Sequence, residues 1–75
     1  MFGIDRETVN KIKENFPKGC RVQLDYMEDP WSKLSVGAKG TVRDVDDVGT
    51  IHVSWDCGSS LGVVYGEDKC HRIDT

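Results

Sequence analysis

Three aspartates, Asp46, Asp47 and Asp56, stand in turn-like segments. Carboxylates gathered at one rim of a small fold would attract a cation or a basic partner. Asp is also a good turn former, because its carboxylate accepts backbone N–H bonds nearby, and no EF-hand spacing is present. Gly58-Ser59-Ser60 joins a glycine turn to two hydroxyls, a combination whose backbone N–H groups cup anions such as phosphate, although a plain hairpin turn accounts for it equally. Cys70-His71 sets a thiol beside an imidazole. Neighbours on a strand point to opposite faces, which argues against a nucleophile and its base. His52 and His71 with Cys20, Cys57 and Cys70 are ligand types for zinc, yet nothing in their spacing requires a site.

The aromatic residues offer a different chemistry, that of binding. Trp55 is in phase with Ile51 and Val53 and reads as core. Trp31 lies in the aperiodic stretch 27–34, next to the stiff Asp29-Pro30 step, and has no core phase to satisfy. An aromatic of that kind is a contact anchor or a cover for one end of the fold. The expected contact surface is therefore the loop 27–34 with the turns 46–49 and 56–60. Its candidate ligand-binding residues are Trp31, Asp29, Asp46, Asp47, Asp56, Ser59 and Ser60. No catalytic residue, metal ligand or cofactor is assigned.

The elements that must hold these residues begin with a helix. Asp5 sits where an N-cap is wanted, and Val9, Ile12 and Phe16 form one apolar stripe at helical spacing over 6–15. Ile4 and Val9 fit a hydrophobic staple, and Pro17 with Gly19 ends the segment. A helix of about three turns is marginal alone, so the stripe must dock on something. From residue 20 the period changes to two. Val22, Leu24 and Tyr26 alternate with polar neighbours in a first strand, 20–26. Beyond it the period is lost, and Pro30 keeps the stretch 27–34 as a long loop. Strands are then expected over 41–45, 50–55 and 61–64 and around 71–73, separated by glycine-bearing turns. Val22, Leu24, Val42, Val53 and Val63 should point inward. Five short strands suggest a small closed or nearly closed barrel, since closure removes exposed edges. The fold class is thus mainly β, a small five-stranded barrel with one short N-terminal helix. Residues 1–18 form the helix and linker, and residues 19–75 form the barrel domain.

The run Val36-Gly37-Ala38-Lys39-Gly40-Thr41-Val42 looks like the GxxGxV entrance of SH3-like barrels, where glycines allow positive φ. A longer series comprises Arg21-Val22-Gln23-Leu24, Met27 with Asp29-Pro30, Val45-Asp46-Asp47-Val48-Gly49-Thr50-Ile51-His52-Val53, Trp55-Asp56, Gly58-Ser59-Ser60-Leu61-Gly62-Val63 and Gly66-Glu67-Asp68. It resembles the small bacterial and bacteriophage domain family of unknown function numbered 4314, and more distantly the Mib-Herc2 type of SH3-like barrel. Ser35 and Ala38 replace the Pro and Thr often seen before the second strand. The resemblance implies an SH3-like fold, a prokaryotic or phage origin and a binding role, with no catalytic residues to carry over.

Composition narrows the function classes. The 75 residues make one domain, and the net charge is -3 with its ten basic residues scattered. Non-specific affinity for duplex nucleic acid depends on Lys and Arg neutralising phosphates, so the charge argues against that partner. Three cysteines without a CxxC pair give no complete disulfide framework and read as reduced thiols of a cytoplasmic protein. No segment approaches the ~20 apolar residues of a membrane span. The leading expectation is a non-catalytic SH3-like binding module whose protein or small-molecule ligand is unspecified, with homo-oligomerisation through the N-terminal helix. The rival expectation is a phage counter-defence protein that sequesters a host nucleotide signal or inhibits a host defence enzyme. Sequestration would need Arg21, Arg43, Lys39 or Arg72 to converge at a subunit interface.

Overall fold

The computed structural model describes residues 5–28 and 34–73. The helix α1 spans Arg6–Asn15. Beyond it lie five strands: β1 (Arg21–Tyr26), β2 (Lys39–Val45), β3 (Ile51–Trp55), β4 (Gly62–Val63) and β5 (Lys69–Ile73). The Asp5 carboxylate accepts a hydrogen bond from Thr8 N at 2.7 Å and so satisfies one of the orphan amides of the first turn. The proposed staple partner Ile4 lies outside the described residues.

The strands form one antiparallel sheet in the order β4-β3-β2-β1-β5. Both inner hairpins use one device. At the β2–β3 turn, Asp46 N donates to Thr50 O, and Gly49, at φ 81°, donates to Asp46 O. At the β3–β4 turn, Trp55 N donates to Ser59 O, and Gly58, at φ 97°, donates to Trp55 O. Each is a three-residue hairpin connection closed by a left-handed glycine.

The expected closure into a barrel is not made. β4 and β5 are the two ends of the strand order and do not pair with one another. β4 holds only Gly62 and Val63, too short to carry a ladder on both sides. The fourth strand is therefore shorter than the span 61–64 read from the sequence.

The core contains all five residues expected inside: Val22, Leu24, Val42, Val53 and Val63 are buried, with Val45, Ile51 and Trp55 beside them. Val42 and Val45 are three apart yet both face inward, because the β2–β3 register shifts between Val42 and Asp44. A bulge of this kind puts an extra residue into one strand and moves the side chains beyond it to the other face. A second shift, between Leu24 and Tyr26 on β1 against β5, breaks the alternation that would have turned Tyr26 inward. Tyr26 is exposed as a result. Leu34, at the end of the aperiodic stretch, is buried.

The helix supplies Ile12 to the same core cluster as the strands, and Phe16 packs against it. Two side chains strap it down: Arg72 of β5 donates to Asn15 O at 3.3 Å, and Lys13 Nζ lies 3.6 Å from Asp47 Oδ1. A cation at the last carbonyls of a helix also complements its dipole. The apolar stripe of α1 is thus satisfied on its own sheet.

Candidate functional site

Among the described residues, those singled out in the sequence do not converge. Asp46 and Asp56 flank β3 at opposite ends, and at ~3.3 Å per residue a strand of this length sets its two turns on the order of 15 Å apart. Each carboxylate is engaged where it stands. Asp46 Oδ1 accepts from Val48 N at 3.1 Å and Thr50 N at 2.9 Å, while its Oδ2 lies 2.8 Å from His52 Nε2. Burial works against the charged form of Asp46, but the bonds to His52, Thr50 and Val48 outweigh it and hold the carboxyl below its ordinary value. Asp56 meets the Arg21 guanidinium in a two-pronged pair, Nη1 to Oδ1 at 2.8 Å and Nη2 to Oδ2 at 2.6 Å. That partner lowers its pKa. Asp47 is exposed and faces Lys13.

The turn at Gly58-Ser59-Ser60 is a hairpin whose groups bond internally. Gly58 N is taken by Trp55 O, and Ser59 Oγ accepts from Leu61 N at 3.3 Å. Ser60 is exposed. Trp55 is core, as its phase indicates, and its Nε1 donates to Leu61 O at 2.8 Å. Asp29 and Trp31 lie outside the described residues. Cys70 packs inward opposite Leu24, whereas the His71 ring lies 2.8 Å from Asp25 Oδ1, so thiol and imidazole are not partners. Among the described residues no three His, Cys, Asp or Glu side chains gather to hold a metal ion. Of the cations considered for an anion pocket, Arg21 is bound within the chain to Asp56 and Arg72 to the end of α1.

Other residues do come together. A cleft of about 500 Å³ opens between α1 and the β4–β5 connection. Ile12 and Phe16 line it from the helix and its C-cap, Ile51 and Val63 from β3 and β4, and Cys70 from β5. Asp25, Tyr65 and Lys69 supply polar groups. It lies where the two unpaired end strands leave the sheet open, with α1, β4 and β5 all contributing to its lining. Two other clefts of similar volume are lined mainly by polar and charged side chains, one along Arg6, Asn10, Lys13 and Asp47, the other along Lys18, Arg43, Asp44 and His52.

Asp68 shapes the cleft. It is the one buried charged residue among those described, at 8 % exposure. Its Oδ1 accepts from Glu28 N at 2.8 Å and its Oδ2 from Val64 N at 3.0 Å. With Asp68 N donating to Val64 O at 2.9 Å, the carboxylate pins the 64–68 connection to the end of β1. Tyr65 is left exposed on that connection, and Tyr26 is exposed on β1. The Tyr26 hydroxyl donates to Glu28 at 2.6 Å, and that bond, with the negative charge of Glu28 and Asp68, raises its pKa. Apart from the helix stripe of Ile12 and Phe16 and the alternation of Ile51 and Val63, these residues carry no periodic or motif signal, and the gap they border depends on which strands fail to pair.

Fold and cleft together define a small, mainly β domain with an open antiparallel sheet and one covering helix. The chain belongs to the family described as Domain of unknown function (DUF4314), whose model matches residues 5–73. No curated protein and no solved structure matches it significantly. No helix among the described residues is long and apolar enough to cross a membrane.

Proposed function

We propose that this domain is a non-catalytic binding module with an SH3-like strand arrangement, and that its ligand site is the cleft between α1 and the β4–β5 connection. The observation that carries the reading is an open cleft of about 500 Å³ whose lining combines the apolar side chains of Ile12, Phe16, Ile51 and Val63 with a few polar groups. Cavities of some 300–1,000 Å³ with apolar walls and a few polar groups are the usual form of ligand sites. The SH3-like reading is supported by the pairing of the first strand with the last: β1 to β4 run as a meander, and β5 returns to pair with β1. The prokaryotic or phage origin rests on the family resemblance.

A neutral aromatic fragment tests the reading. Titrating ¹⁵N-labelled protein with indole should shift the amides of Ile12, Phe16, Ile51, Val63 and Cys70 together. Shifts confined to residues 21–23 and 54–60, at the other end of β3, would place the site elsewhere and overturn it.

A further inference from the structure

The charge around the cleft is one-sided. Asp25 and Asp68 line it, Glu28 is bonded to Asp68 through its amide, and Glu67 adjoins Asp68 in the chain. Lys69 is the one cation in the lining. Asp68 uses both oxygens to hold backbone amides, and His71 faces Asp25 from the adjacent strand, with Nδ1 2.8 and 2.9 Å from its two oxygens. Glu67 has no ion-pair partner among the described residues. The apolar surface also continues beyond the cleft, because Val64 and Tyr65 are 36 % and 57 % exposed. A ligand confined to the cleft would leave that surface wet.

We propose that the cleft takes an extended basic segment of a partner protein, one large apolar side chain seated against Ile12, Phe16, Ile51 and Val63 and a flanking Lys or Arg held by Asp25 and Glu67. This rests on the binding reading above and names the partner's chemistry. Charge complementarity selects a cationic partner over a second copy of the chain, which carries the same net charge of -3 and the same acidic rim. It also selects against an anionic lipid surface, which the rim repels. The exposed phenol ring of Tyr65 in the lining adds a face on which a guanidinium stacks. The continuation over Val64 and Tyr65 selects a chain that runs past the cleft over a compact small molecule.

The probe is a capped nine-residue peptide with a Leu-Trp-Leu centre and Arg and Lys flanks, titrated into ¹⁵N-labelled protein. Two control peptides replace the flanks by glutamate or the centre by serines, and indole is titrated separately. The basic apolar peptide should shift the amides of Ile12, Ile51, Val63, Tyr65 and Cys70 and bind at least tenfold more tightly than either control. Its affinity should fall as salt rises. The double variant Asp25→Asn, Glu67→Gln should lose several-fold in affinity for the basic peptide and none for indole, while Tyr65→Ala should weaken the peptide with the fold unchanged. Equal binding of the basic and acidic peptides, with indole still shifting the cleft amides, overturns this inference and leaves the binding reading standing. If neither indole nor any peptide shifts those amides, the binding reading falls and this inference with it. Binding of the small fragment alone, with no gain from the basic flanks, marks a small-molecule site and also overturns it.

Discussion

Asp68 and Glu28 are forty residues apart in the chain, and the carboxylate of the first accepts the backbone N–H of the second at 2.8 Å. The other oxygen of Asp68 takes Val64 N at 3.0 Å, so one buried side chain joins the end of β1 to the β4–β5 connection. An Asn at this position can offer an acceptor to only one of the two amides and turns its own N–H₂ toward the other. Asp68→Asn should therefore cost about 1–3 kcal/mol, the usual penalty for an unpaired buried polar group. In a domain of this size each kcal/mol lowers Tm by roughly 4–8 °C. Thermal melts of the two proteins check it, and an unchanged Tm would show that water replaces the bond.

Acid should weaken the fold through its depressed carboxylates, Asp46 and Asp56 among them. The bonds from His52, Thr50 and Val48 to Asp46 and the Arg21 guanidinium on Asp56 lower both pKa values in the folded state. A carboxyl held low on folding contributes stability that is fully present above its unfolded pKa of about 3.9 and is lost as pH falls through its folded value. The stability deficits of Asp46→Ala and Asp56→Ala against the parent should be constant near neutrality and shrink below that pKa. Urea melts from pH 7 down to the acid limb measure the gap. Deficits that persist undiminished at the lowest pH would mean that the side chains act by packing rather than charge.

Much of the fold is legible in the sequence because burial and period agree. Val22 and Leu24, and Ile51, Val53 and Trp55, alternate in the sequence and in the core alike. Asp5 and the stripe Val9, Ile12 and Phe16 mark α1 through capping and helical spacing. Tyr26 and Val45 mark where the period misleads, since a bulge is an inserted residue and shows only against a partner strand. The acidic turns look like one rim in the sequence because their residue type is visible there and their distance is not. A five-residue β3 separates them, and each carboxylate is engaged by a nearby partner. The cleft is hidden for a related reason: it depends on β4 and β5 remaining unpaired, and Asp68 has the composition of a surface turn residue until the connection folds over it.

The three thiols should separate by reactivity. Cys57 is exposed at the tip of the β3–β4 turn, and Cys20 and Cys70 are partly buried. Burial, with the nearby Asp25 and Cys20, pushes the Cys70 thiol up to about 12. Only the thiolate reacts with disulfide reagents, so at pH 8 roughly one Cys70 in ten thousand is reactive. Ellman's reagent should modify Cys57 within the first phase and Cys70 only after denaturant is added. Rapid labelling of Cys70 in the native protein, located by peptide mapping, would show that the β5 edge opens readily.

Gly40 of β2 lies directly opposite Trp55 of β3, and the pair tests how tightly the core is assembled. Gly40 does not have the positive φ expected of the GxxGxV glycines, unlike Gly37 at φ 94°. It is needed for space instead. A methyl group there would sit 2.6 Å from Val53 Cγ1, 2.9 Å from Ser54 O and 2.9 Å from Trp55 Cε3. Two of those atoms belong to fully or nearly fully buried side chains and one to a paired strand backbone, so none moves aside easily. Gly40→Ala should cost about 1–3 kcal/mol by overpacking, even though alanine suits a strand better than glycine does. Trp55→Val removes one of the three close contacts and so should relieve part of that strain while opening a cavity of its own. The double variant Gly40→Ala, Trp55→Val should therefore be more stable than the sum of the two single losses allows, a coupling that urea melts of all four proteins read directly. Strictly additive losses would place the strain of the added methyl on Val53 and the β3 backbone rather than on the indole.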